Sequence, residues 1–170
     1  MSAPVAVLAV GNRSRGDDAV APLLLDRLRE WLARERLSQG FALIEEYQLQ
    51  VENALDLEGR SLALFLDAAV TRSPEVTLEE VRERPGPANS HALQPAAVLD
   101  VFRRITGLPP PPAFVLRLPA REFALGAEPG EQARVAMQAA WPLLRALALR
   151  PRRDAWQALA GERQPASVVA

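Results

Sequence analysis

The sequence predicts a single-domain α/β fold, doubly wound, with a mostly parallel sheet of about five strands and helices on both faces. Three observations predict it. Short apolar runs alternate with helical patterns along most of the chain, the order of elements that builds parallel sheets. The first of these units, VAVLAVGNRSRGDDAVAPLLL, reads as a buried strand, a glycine-containing turn, two adjacent acids and an amphipathic helix. At 170 residues and 49% hydrophobic content, the chain supports one well-buried core and is short for two.

The elements follow in order. Residues 4–10 form the first buried strand. Leu23, Leu24, Leu28, Trp31 and Leu32 then recur at helical spacing, opposite Asp26, Arg27, Arg29, Glu30 and Arg34, in a helix that ends before Gly40. Residues 41–49 read as a second strand, 52–58 as a short helix stopped by Gly59, and 62–67 as a fully apolar, hence central, third strand. Residues 76–84 alternate imperfectly and suit an edge strand. A helix is expected over 92–105 with Pro95 in its first turn, where proline is tolerated. The prolines at 109–112 force an extended connector into a fifth strand at 113–118. A last helix spans about 131–149, with Pro142 as an expected kink or break. The domain is assigned to residues 1–150. Residues 151–170 are expected to be a partly disordered tail with a weak helical patch around Trp156.

Composition excludes several classes of function. The formal charge of −1 leaves no basic footprint for nucleic acid, and all twenty cationic side chains are Arg, which reads as genome bias. The chain has no Cys, so it offers no disulfide, thiolate ligand or cysteine nucleophile, and it suits a reducing compartment. The apolar N-terminal run is too short for a membrane span and lacks the basic flank of a signal peptide. A cytoplasmic location and no membrane partner are expected.

Candidate chemistry gathers where open α/β sheets keep their ligands, at the carboxyl ends of the strands. Gly11 and Gly16 permit a tight turn out of the first strand. Asp17 or Asp18 can cap the following helix, and one acid suffices for that task. Asp67 ends the apolar run LALFLD, and His91, the single histidine, precedes the helix that contains Pro95. Each has a structural alternative: both acids at 17 and 18 as caps, Asp67 as a loop cap, His91 as an ordinary helix-start residue. The conjunction of Asp18, Asp67 and His91 near one sheet edge points instead to a divalent metal, since two carboxylates and an imidazole leave coordination positions open. A dinucleotide fingerprint is not matched, and acids at the helix start would repel a pyrophosphate. A serine triad is disfavoured because Ser90 and His91 are sequence neighbours. The Asp-Thr-Gly loop of aspartic proteases is absent.

The pattern strand-GNxxxGDD-helix, the segment EYQLQVENALDLEGR leading to LALFLDAA, and SHALQPAAVLDVF together resemble the hydrogenase maturation endopeptidases over about residues 5–149. Members commonly carry Asp-Gly-x-Gly after the first acid, where this chain has Asp18 followed by Ala19, Val20 and Ala21. The resemblance implies an endopeptidase, formally grouped with aspartic-type peptidases. It would remove the C-terminal extension of a [NiFe] hydrogenase large-subunit precursor after nickel insertion. Asp18, Asp67 and His91 would be its metal ligands and catalytic residues. Nickel would be supplied by the substrate, with another divalent ion as a substitute in vitro. Asp18 or Asp67 would serve as assisting base, and Asp17 as helix cap or supporting partner. The alternative is a chaperone-like module that binds the large subunit without cutting it. A peptidyl-tRNA hydrolase-like enzyme, which shares an early Gly-Asn turn, is opposed by the missing basic face.

Overall fold

The computed structural model describes residues 3–87 and 92–162. Five strands form one sheet: β1 (Val5–Val10), β2 (Phe41–Glu46), β3 (Leu62–Ala69), β4 (Thr77–Val81) and β5 (Ala113–Pro119). Their order is β2-β1-β3-β5-β4; every neighbouring pair is parallel except β4 with β5. The expected α/β architecture is therefore present, with the alternating segment at β4 placed on an edge. Because the chain leaves β1 toward β2 and later returns on the other side of β1 with β3, the direction of winding reverses at the β1–β3 pair. That reversal opens a crevice above the carboxyl ends of these two strands.

Alternation along each strand sends successive side chains to opposite faces, and both faces are covered. On one face Val5, Val7, Leu64, Leu66, Phe114 and Leu116 pack with α1 (Val20–Arg34) and α3 (Glu131–Leu149). On the other, Ala6, Leu8, Phe65 and Val115 pack with α2 (Pro95–Thr106) and with a 3-10 helix at Val51–Leu57, where a short helix over 52–58 was expected. β1, β3 and β5 are apolar on both sides because both sides are core.

Several elements differ from the sequence expectation: β2 stops at Glu46 rather than 49, β4 spans 77–81 rather than 76–84, and α2 starts at Pro95 rather than 92. β3 runs two residues past Asp67, because Ala68 and Ala69 pair with Leu118 and Pro119 of β5. α3 continues through Pro142 without a break. The proline ring is exposed while Trp141, Leu143 and Leu144 are buried, so packing of the flanking turn outweighs the missing backbone bond. Beyond Arg150, where only a weak helical patch was expected, the chain forms α4 (Arg153–Glu162). Trp156 is buried in it, edge-on to Phe114 with ring centres 5.3 Å apart, and its indole N–H donates to the Leu147 carbonyl at 2.9 Å. No helix among the described residues is long and apolar enough to cross a membrane.

Candidate functional site

The turn after β1 folds back over its own exit. The Gly11 N–H donates to the Glu46 carbonyl of β2 at 2.9 Å, and the Asn12 N–H donates to Asp18 Oδ2 at 2.8 Å. A Cβ at position 11 would overlap the Asp18 carbonyl oxygen, so only glycine lets the two segments approach. Asn12 Oδ1 accepts from the Ser14 N–H at 2.9 Å and tightens the bend. Asp18 is thereby held half-buried directly above the end of β1, by a bond to the turn rather than by capping a helix.

Asp67 reaches the same crevice from the other side. It lies opposite Val10 in the β1–β3 ladder and opposite Arg117 in the β3–β5 ladder. Alternation puts it on the α2 face of the sheet with Ala63 and Phe65. Its carboxyl is pushed up to about 6. Desolvation is the main cause, the Asp18 charge adds to it, and the Arg117 guanidinium and the Ala68 N–H oppose it. Asp18, on the turn after β1, and Asp67, in the neighbouring strand β3, stand at adjacent strand exits, and the Asp18 charge acts on Asp67.

Asp17 does something the sequence does not suggest. It forms no cap bond to α1. It is 3% exposed, and its carboxylate accepts from the backbone N–H groups of Arg121 (2.8 Å), Glu122 (3.1 Å) and Gly130 (2.8 Å). Gly130 is the N-cap of α3, so Asp17 supplies from across the fold the negative charge that the amino end of that helix favours. Desolvation pushes its pKa up, but the three N–H bonds outweigh this and hold it below the ordinary carboxylate range. The expectation that Asp17 caps the next helix is corrected. Two acids adjacent in the chain point apart, and the buried one meets the loop after β5 instead.

His91 lies outside the described residues. Leu93, two positions later, donates its N–H to the Leu49 carbonyl at 2.9 Å, in the loop beyond the carboxyl end of β2. Among the described residues no group of three or more His, Cys, Asp or Glu side chains is placed to hold a metal ion.

Sequence reasoning missed Arg117 and the loop at 120–130. Arg117 stands beside Asp67 and pairs with Glu79 of β4 at 2.8 Å. A lone arginine inside the otherwise apolar strand AFVLRLP is a detectable signal, because a cation so placed needs an anionic neighbour. The loop has no such signal, since its bonds to Asp17 come from backbone groups. A separate ion cluster braces the rim. Arg13 bonds both Asp26 and Glu45, which raises its own pKa and lowers theirs.

No protein-family model matches the chain, and no curated protein matches it. Solved structures do. The [NiFe] hydrogenase maturation protease HycI from Thermococcus kodakarensis superposes with a TM-score of 0.64 at 20% identity, over 86% of this chain and 92% of that one. The hydrogenase maturating endopeptidase HybD from Escherichia coli gives 0.65 at 18% identity, with the same coverage. A hydrogenase 2 maturation peptidase from a Thaumarchaeota archaeon gives 0.59 at 23% identity, over 86% of this chain and 99% of that one. With its strand order, its crevice at the β1–β3 reversal and these likenesses, the chain has the fold of the hydrogenase maturation proteases.

Proposed function

We propose that this protein is an endopeptidase that removes the C-terminal extension of a [NiFe] hydrogenase large-subunit precursor after nickel insertion, acting in the cytoplasm. The observation that carries this reading is the position of Asp18 on the turn after β1 and of Asp67 in the neighbouring strand β3, in a fold similar to that of maturation proteases. Their donor set fits a divalent cation: a desolvated Asp67 carboxylate that also feels the Asp18 charge gains from a positive ion between them. His91 is the proposed third donor, on the motif it shares with the maturation endopeptidases.

Nickel belongs to the substrate in this scheme. Asp18, Asp67 and His91 occupy coordination positions that the precursor leaves open, which docks the scissile segment in register. A carboxyl titrating near 6 suits an assisting base that takes a proton from the attacking water and returns it to the leaving amine, and Asp67 is assigned that role. Arg117, beside it, keeps the carboxylate accessible near neutral pH by opposing the desolvation.

The test is the mass of a large-subunit precursor incubated with the purified protein. The expected result is a shortened large subunit from nickel-loaded precursor and no change in nickel-free precursor. Equal cleavage of both forms overturns nickel recognition. A stable complex with no change in mass overturns the peptidase and leaves the chaperone-like module.

A further inference from the structure

The loop after β5 and the 3-10 turn at Gly16–Ala19 form one hydrogen-bonded unit. Besides the three bonds to the Asp17 carboxylate, the Asp17 N–H donates to the Glu122 carbonyl at 2.7 Å and the Gly16 N–H to the Ala127 carbonyl at 2.9 Å. The Gly126 N–H donates to the Ser14 carbonyl at 2.7 Å, and Arg15 Nε to the Phe123 carbonyl at 3.2 Å. Contact is so close that a Cβ at Gly16, which has φ +57°, would sit 2.6 Å from the Glu122 carbonyl oxygen. These bonds grip residues 14–17 of the turn, and Asp18 is the next residue along it. Asp18 itself is tied back to the turn by the Asn12 N–H bond to its Oδ2 and by its own N–H bond to the Arg15 carbonyl at 3.1 Å.

We propose that Asp17 is a positioning residue for the hydrolytic site: by clamping residues 121–130 onto the 3-10 turn, it fixes the direction in which Asp18 faces Asp67. A helix cap would act on α1 through its side chain, and the Asp17 carboxylate makes no bond there. A residue that only stabilised the loop would need no link to the turn that bears the candidate ligand, yet the loop's bonds to residues 14–17 converge on it. The proposal rests on the peptidase reading for its catalytic consequence, whereas its structural claim stands apart from that reading.

Two variants test it from opposite sides of the clamp. Asp17→Asn turns an amide N–H₂ toward the three backbone donors or leaves them one acceptor short. Gly16→Ala keeps the carboxylate and pushes the Glu122 carbonyl away. For each, hydrogen exchange at the Asn12 amide reads the Asp18 bond directly, with the amides of Phe65 and Val115 as the control for global stability. Asn12 protection is expected to fall about tenfold or more while the two strand amides keep theirs. In the processing assay, at a temperature where circular dichroism shows both variants folded, kcat is expected to drop about 10- to 100-fold with KM for the precursor within about threefold. Unchanged Asn12 protection in both variants overturns the proposal. So does wild-type kcat per folded molecule with only a lowered melting temperature. If wild-type protein leaves the precursor intact, the peptidase reading fails, and the exchange result still decides the clamp.

Discussion

Asp67 sits opposite Val10 in the β1–β3 ladder, and Asp18 is folded over Gly11, the residue that follows β1, so that the charge of Asp18 makes Asp67 harder to ionise. Two carboxylates placed this way cost stability when both are charged, and that cost is measurable.

Asp67→Asn is expected to stabilise the protein at neutral pH. The folded-state pKa of Asp67 is raised to about 6 from 3.8, so its contribution is fully present below pH 3.8 and is lost as pH rises through 6. At pH 7.5 the variant should gain about 1–3 kcal/mol in urea unfolding, with the gain vanishing near pH 3.5. A stability difference that does not change with pH would refute the assignment.

Arg117→Gln removes the cation that opposes the desolvation of Asp67. The Asp67 carboxyl should then titrate above about 6, as read by carbon NMR of its side chain. Processing activity should consequently lose its acid limb at higher pH than in wild type. A titration unchanged or shifted downward contradicts the placement of Arg117.

Asp18→Ala, Asp67→Ala and His91→Ala should each abolish shortening of nickel-loaded precursor while the protein stays folded, with losses of about 100-fold or more. Normal processing by any one variant removes that residue from the site.

Trp156→Ala should cost about 3–5 kcal/mol in chemical denaturation, because it deletes a fully buried ring that packs on Phe114 and leaves the Leu147 carbonyl without its indole donor. A loss below about 1 kcal/mol would show α4 to be dispensable.

Pro142→Ala restores a backbone donor inside α3 at an exposed position. The expected gain is about 1–3 kcal/mol, reduced from the full cost of a helical proline by the greater freedom of the unfolded chain. Destabilisation would mean that the proline ring itself contributes packing.

Much of the fold is legible because its signals are local. The run LALFL is apolar at every position, which requires a strand covered on both faces, and β3 has core on both. Pro95 reads as a first-turn residue of a helix begun near 92, and the helix instead starts at it, with Pro95 at N1 of α2. The imperfect alternation of TLEEV reads as an edge and is one. Pro142 misleads because a local breaker was set against burial that only packing reveals. The helix at Arg153–Glu162 is understated for the same reason: its one aromatic residue, Trp156, is decisive only where Phe114 and Leu147 await it.

By itself the sequence determined the α/β class, the central strands, and Asp18 and Asp67 as candidates at strand exits, since strand and turn chemistry act over a few residues. Only the tertiary structure decided the division of labour between Asp17 and Asp18 and the pairing of Asp67 with Arg117. The donors that bind Asp17 are backbone N–H groups more than a hundred residues away, and Arg117 belongs to a strand fifty residues from Asp67. Backbone groups are common to every residue type and leave no compositional trace, so their partners become visible only once the chain has folded.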